Sequence, residues 1–458
     1  MPGRGPIDEP VPEHCALFTD LYELKMAQSY VAEGMAETAV FSLFVRRLPE
    51  QRNFLLACGQ ERVLSLLESL RFDEDDIAYL RSIRQLDPGF VDWLRAFRFH
   101  GEVYAVPEGT PVFANEPIME IVAPIAEAQI IETLVMNEIT LATVLASKAA
   151  RVVTAAAGRT VVDFAARRMM GIEAAVEGAR AFYIAGVEST SNVLAGKRYG
   201  IPVAGTMAHS FVQAHENEAA AFRAFAENFP GTTLLVDTYD TMQGVRTAIA
   251  LATDPERPIE VGGIRLDSGD LGALAREARA ALDAAGLRSV KIFASSGLDE
   301  YRIADLVAAG APIDGFGVGT AMGVADDAPA LDIVYKLCAY GGRGRTKLAE
   351  GKPILPGRKQ VFRRREDGQA RGDVIARADE RLAGAGLLRL VMAQGERRAA
   401  GRCTLAACRQ HAKRQIAALP EAVRCLEPAR PPYPVAPSAA LESYAQAVRE
   451  AIRRHQEG

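Results

Sequence analysis

Apolar positions fall into two textures along this chain. In the first third they switch between helical spacing and short β-branched runs. Asp20 to Gly34 reads as a helix capped by Thr19 or Asp20 and stopped by Gly34, with Leu21, Leu24 and Tyr30 toward a core and Tyr22 off that stripe. ETAVFSLFVRRLP reads as a strand ending at Arg46, Arg47 and Pro49, and Leu55 to Leu70 returns to helical spacing. Pro107, Gly109, Pro111 and Pro117 break Phe97 to Pro124 into a small β-meander, and an Ala-rich helix follows from Glu127 to Ala157.

From Thr160 the texture becomes strand, turn, helix, repeated. The predicted strands are VVDF, AFYIAG, IPVAG, TLLVD, GGIRLDS, SVKIFAS, IDGFGVG and LDIVYKL, starting at Val161, Ala181, Ile201, Thr233, Gly262, Ser289, Ile313 and Leu331. Ala214 to Asn228 and Asp270 to Ala285 are long enough for helices between them. Repeated βα units give parallel strands, and about eight of them build a (β/α) barrel. A short link at Gly171 to Arg180 and the missing helix before LDIVYKL make the expected barrel irregular. The last third returns to short strands and ends in helices near Thr404 to Leu419 and Ser438 to Arg454. The expected layout is a disordered lead-in over 1–14, an α+β domain over 15–158, an α/β barrel over 159–339, and a C-terminal segment over 340–458 that packs on the N-terminal domain.

Composition narrows the function classes. A formal charge of −5 supplies no basic excess to displace counterions from nucleic acid. No apolar run reaches membrane-spanning length, and six scattered cysteines, mostly in apolar contexts, point to the reduced thiols of a cytoplasmic protein. Cys403, Cys408, His411 and Cys425 lack the short paired spacing of a zinc knuckle.

Polar residues collect at the predicted strand ends, the face on which such barrels carry their sites. Arg167 and Arg168 follow VVDF, Glu188 follows AFYIAG, and His209 and Ser210 follow IPVAG. RLDSGDL supplies Arg265, Asp267 and Asp270; KIFA is followed by Ser295, Ser296 and Gly297; GFGVGT supplies Gly317, Gly319 and Thr320. A glycine-rich turn exposes backbone amides to a phosphate, and serine or threonine hydroxyls can add to them. Asp267 suits the paired hydroxyls of a ribose, Phe164 offers a face to a flat ring, and Arg167 or Arg168 can clamp a carboxylate. Phosphate, ribose, flat ring and carboxylate together describe a pyridine nucleotide bearing an acid group.

TDLYELKMAQ, DFAARR, STSNVLAGKRYGIPVAGTMAHSFVQA, RLDSGDL, FASSGLDEYRI, GFGVGT and PGRKQVFR resemble, in order, segments of the nicotinate phosphoribosyltransferase family. The resemblance runs from about Thr19 to the PYPV segment at Pro432 to Val435. It implies a type II phosphoribosyltransferase fold, with an α/β barrel beside an α+β domain built from both chain ends. The implied reaction joins nicotinate to phosphoribosyl pyrophosphate, giving nicotinate mononucleotide and pyrophosphate with ATP hydrolysis and Mg²⁺. The resemblance implies His209 as the phosphorylated residue, Asp267 on the ribose diol and Arg265 beside ring or phosphate. Ser210 and Glu188 fall among the substrate contacts, and the amides of Ser295 to Gly297 and Gly317 to Thr320 on the 5′-phosphate. Phe164 would stack on the ring, and Tyr22 of a second subunit would cover its other face. Arg47 across the same interface, Lys336 and Lys359 fall among the groups for pyrophosphate and ATP. A homodimer with shared sites follows.

Two places depart from the family pattern: Glu188-Ser189 replaces the common Asp-Gly, and DFAARRMMG changes the residues flanking the arginine pair. Nicotinamide phosphoribosyltransferase is the competing enzyme, and the arginine pair favours the acid over the amide. Quinolinate phosphoribosyltransferase is disfavoured because its chemistry needs no phosphorylatable histidine. A nucleotide-sensing barrel without catalysis is opposed by the presence of His209, Asp267 and GFGVGT.

Overall fold

The computed structural model describes residues 13–349 and 354–457. Nearly all of the expected disordered lead-in falls outside the described residues. The chain forms two compact units, Met1–Ser147 with Ala330–Gly458, and Lys148–Pro329.

The first unit is built around a seven-stranded sheet. Its order is Arg343–Gly344, Ile333–Tyr340, Thr38–Val45, Pro117–Pro124, Glu102–Ala105, Arg389–Ala393 and Glu396–Arg397. The β-branched run Thr38–Val45 sits centrally, buried from Ala39 onward, as a strand with covered faces must be. Leu24 and Ala27 of the helix Leu21–Ala32 join its core, whereas Leu21 and Tyr22 stay exposed. Leu55 to Leu70 splits in two: Leu55–Ala57 is a strand and only Gln60–Ser69 is helical. The Ala-rich helix is likewise interrupted, as Ile125–Ile130 and Glu132–Ala155.

The second unit carries a parallel sheet, a half-barrel in the order Ser189–Thr190, Thr160–Asp163, Gly315–Val318, Lys291–Ala294, Val261–Leu266, Thr232–Leu235. A single parallel bridge from Thr190 to Val203 extends its first edge. Three predicted strands are corrected, the first being IPVAG, of which only the isolated bridge at Val203 forms. AFYIAG is the end of the helix Ile172–Ala185, which stops at Gly186 with φ +121°. That helix is buried on most sides, so its apolar run has no visible helical period. LDIVYKL does form a strand, Ile333–Tyr340, but it pairs antiparallel with Thr38–Val45 in the first unit. No helix of the described residues is long and apolar enough to cross a membrane.

Candidate functional site

The parallel strands point their C-terminal ends the same way, and the short turns there hold most of the candidate residues. Asp163 closes the first strand. It is 1% exposed and accepts hydrogen bonds from Ala165 N and Thr190 Oγ1, both at 2.7 Å. Burial raises its pKa, and those two donors oppose the rise. The bonds fix the turn that presents Phe164. A Cβ on Gly317 would lie 2.3 Å from that ring, so only glycine leaves it room. Gly317 therefore lies inside the ladder, in register with Val162, rather than in the turn. Gly319 and Thr320 form the turn, where Gly319 caps the helix Thr320–Val324.

The guanidinium of Arg265 lies 5.9 Å from the Phe164 ring centroid and donates from Nη2 to Met207 O at 2.9 Å. Its Nε is buried without a hydrogen-bond partner. Burial, reinforced by the charge of Arg167, lowers the Arg265 pKa. Arg167 and Arg168 occupy the exposed single turn Ala166–Arg168 that follows Phe164. Cation, aromatic face and exposed arginines thus lie around one strand end.

His209 opens the short helix His209–Gln213, with Ser210 exposed beside it. Its Nδ1 lies 3.2 Å from Thr238 Oγ1, and its Nε2 lies 3.7 Å from Asp267 Oδ2, beyond hydrogen-bond length. The imidazole is 42% exposed, so it is oriented on one side and open on another. Asp267 accepts from Ser295 Oγ through Oδ1. Its own amide donates to Asp237 Oδ2 at 2.8 Å, and Ser268 Oγ donates to the same oxygen at 2.6 Å. Asp270 instead caps the helix Leu271–Ala284 through Ala273 N, a structural duty.

Ser295 is committed at both ends, since its amide bonds Leu266 O at 2.9 Å. Beyond it Ser296 takes φ +78° and Gly297 φ +57°. A non-glycine residue in that region is strained, and such strain collects at ligand-binding turns.

Four placements differ from expectation or stand apart. Glu188 precedes the strand Ser189–Thr190 instead of following one, and its Oε2 accepts from Thr160 Oγ1 at 3.3 Å, at the opposite end of the sheet from Phe164. Lys359 is 3% exposed and saturated: Nζ lies 3.0 Å from Glu120 Oε1 and donates to Gly357 O at 2.7 Å and Leu355 O at 3.2 Å. It has no proton left for a phosphate, so its role is to close a buried polar network. Tyr22, Arg47 and Lys336 belong to the first unit. Tyr22 and Arg47 are exposed there, Arg47 beside Asp332 at 3.3 Å, and Lys336 is half-buried opposite Ser42. His411 Nε2 meets Thr110 Oγ1 at 2.9 Å, and among the described residues the metal-like grouping is His14 with Asp73 and Asp76 rather than the cysteines.

Asp163, Asp237 and Thr238 are contributors that motif reasoning passed over. Asp237 ends TLLVD, so the rule that located the others, polar residues at strand ends, could have found it.

Residues 17–140 match the model of the nicotinate phosphoribosyltransferase (NAPRTase) N-terminal domain, and residues 160–371 match the model of the NAPRTase family. Nicotinate phosphoribosyltransferase pncB2 of Mycobacterium tuberculosis is 56% identical over 92% of this chain and 91% of its own length. Nicotinate phosphoribosyltransferase of Bacillus subtilis is 42% identical over 80% of this chain and 77% of its own. The crystal structure of human nicotinic acid phosphoribosyltransferase superposes with a TM-score of 0.82 at 29% identity, covering 94% of this chain and 99% of that one. With both of its domain models matched and a relative 56% identical over 92% of its length, the chain belongs to the nicotinate phosphoribosyltransferase family.

Proposed function

We propose that this protein joins nicotinate to phosphoribosyl pyrophosphate, forming nicotinate mononucleotide and pyrophosphate in NAD biosynthesis, and couples the step to ATP hydrolysis through phosphorylation of His209. The ring nitrogen of nicotinate forms the new bond to C1 of the ribose as the bond from C1 to the pyrophosphate oxygen breaks. The observation that carries this reading is the half-open His209, held by Thr238 on one side and facing Asp267 on the other. A neutral imidazole oriented in this way is a nucleophile near neutral pH.

Phe164 and Arg265 supply the ring face, and Arg167 or Arg168 the cation for the carboxylate. Asp267 takes the ribose hydroxyls, and the turns at Ser296–Gly297 and Gly319–Thr320 take the 5′-phosphate. Asp237 Oδ1, buried without a hydrogen-bond partner, is an oxygen donor of the kind Mg²⁺ accepts. When bound with the pyrophosphate, Mg²⁺ supplies charge neutralisation on the leaving group. A cytoplasmic homodimer in which Tyr22 and Arg47 of one subunit complete the site of the other is part of the same reading.

The test is incubation with γ-labelled ATP. Wild type should retain an acid-labile, base-stable label that His209→Asn lacks. The variant should also lose ATP hydrolysis and all stimulation by ATP, while still making nicotinate mononucleotide slowly at high phosphoribosyl pyrophosphate. An unlabelled wild type, or a variant that still couples ATP to synthesis, would overturn the phosphorylated intermediate.

A further inference from the structure

Two turns of the second unit, Ser295–Gly297 and Gly319–Thr320, lead into acidic residues that converge on one buried lysine. Lys148 is 2% exposed, and its Nζ lies 2.7 Å from Glu300 Oε2, 2.8 Å from Asp327 Oδ1 and 3.1 Å from Asp326 Oδ1. Glu300 opens the helix Glu300–Ala308 directly beyond the first turn. Asp326 and Asp327 lie directly beyond the helix Thr320–Val324, which the second turn caps. Glu300 is fully buried, and its other oxygen accepts from Arg151 Nε at 2.8 Å. Arg151 in turn donates from Nη2 to Tyr301 Oη at 2.8 Å.

Such a cluster is costly to desolvate and needs a structural reason. Burial alone would lower the Lys148 pKa, yet its contacts with Asp327 and Glu300 carry it above the ordinary lysine value. A lysine ammonium offers three donors on a flexible stem, so it can serve carboxylates from separate segments at once. The segments it serves are the exits of the two turns assigned to phosphate. Ser296 is held in a left-handed conformation within the first of them, which requires its surroundings to over-determine it.

We propose that Lys148 is a positioning residue for the phosphate-binding edge of the site. By tying Glu300 to Asp326 and Asp327 it sets the spacing of the Ser295–Gly297 turn from the Gly319–Thr320 turn, and so the fit to a phosphate monoester dianion. The inference rests on the proposed reaction for the identity of that ligand.

The experiment uses the full chain with Lys148→Met, Lys148→Arg and Asp326→Asn. Lys148→Met should raise KM for phosphoribosyl pyrophosphate about tenfold with kcat nearly unchanged, because the group acts on binding geometry and not on the reacting atoms. Affinity for ribose 5-phosphate, read by calorimetry without nicotinate, should fall in parallel. Lys148→Arg should recover part of both, and Asp326→Asn, whose side chain is 53% exposed, should shift both in the same direction by less. Should Lys148→Met fail to fold, the other two variants decide: wild-type KM and ribose 5-phosphate affinity in both would overturn the proposal. A lower Tm in Lys148→Met with both quantities unchanged would also overturn it. A wild type that binds ribose 5-phosphate and loses it in Lys148→Met, yet makes no nicotinate mononucleotide, would support Lys148 and sink the reaction instead.

Discussion

The Glu120–Lys359 network of the first unit and the His209 cluster of the second use similar residue types to opposite ends. Glu120 is fully buried and accepts Ser42 Oγ at 2.6 Å and Lys359 N at 2.8 Å, while Lys359 Nζ meets Glu120 and two carbonyls. Every proton of that ammonium has an acceptor. In the second unit His209 is half-open, Arg265 Nε and Asp237 Oδ1 are buried without partners, and Arg167 and Arg168 face solvent. A buried charge with its valence filled stabilises architecture, whereas polar atoms left over around a cleft are held for a ligand. Between these two clusters residue type does not make the difference; the count of filled partners does.

The sharpest way to break this comparison is Lys359→Met. Removing one partner strands the Glu120 carboxylate in the core, and breaking a buried pair costs about 3–5 kcal/mol of stability. Denaturant unfolding should show that loss, and KM for phosphoribosyl pyrophosphate should not move. A stable Lys359→Met enzyme with a raised KM would return this lysine to the phosphate site and remove the distinction.

Arg167→Ala and Arg168→Ala probe the open side. A charge-assisted pair to the nicotinate carboxylate is worth about 1.5–3 kcal/mol, so at least one variant should lose about tenfold or more in nicotinate affinity. Use of nicotinamide should change far less, and stability should stay near wild type because both residues are exposed. Equal losses on both substrates in both variants would count against a carboxylate clamp. They would leave these arginines as surface charge.

The parts of this molecule legible in the sequence were those governed by local rules. Gly34, at φ +68°, and Asp20 bound the first helix at the expected positions, although the Asp20 side chain makes no capping bond, and Asp270 caps its helix. The strands ending at Asp163, Leu266, Ala294 and Val318 were visible because each β-branched or aromatic run stops at a polar turn. AFYIAG was misread because burial on most sides erases the helical period. LDIVYKL was placed in the wrong sheet because strand character says nothing about a partner distant in sequence. Glu188 follows from AFYIAG: a strand there puts Glu188 at its C-terminal end, whereas the helix leaves Glu188 at the start of the next strand. Lys359 was misassigned because motif resemblance gives position without hydrogen-bond accounting.

The smallest expected effect tests whether an unfilled acidic group leaves a thermodynamic trace. Glu218 begins the helix Glu218–Asn228, and its Oε1 is buried without a partner. Burial, then the charges of Asp240 and Asp237, push its pKa up to about 7 from an ordinary 4.5. Between those two values the folded protein binds a proton that the unfolded chain has released. The stability contributed by that proton is therefore complete below about pH 4.5 and is lost as pH rises through about 7. Glu218→Gln keeps the shape and removes the titration, so its stability profile across that window should be flatter than that of wild type. At about pH 8 the variant should be the more stable of the two, by less than about 1 kcal/mol because the partly open side chain is screened by solvent. That corresponds to a Tm higher by less than about 1 °C, readable by calorimetry. Near pH 4.5 the two proteins should unfold together. Parallel profiles across the whole range would show that Glu218 is already partnered in solution and that a buried oxygen without a partner leaves no such trace.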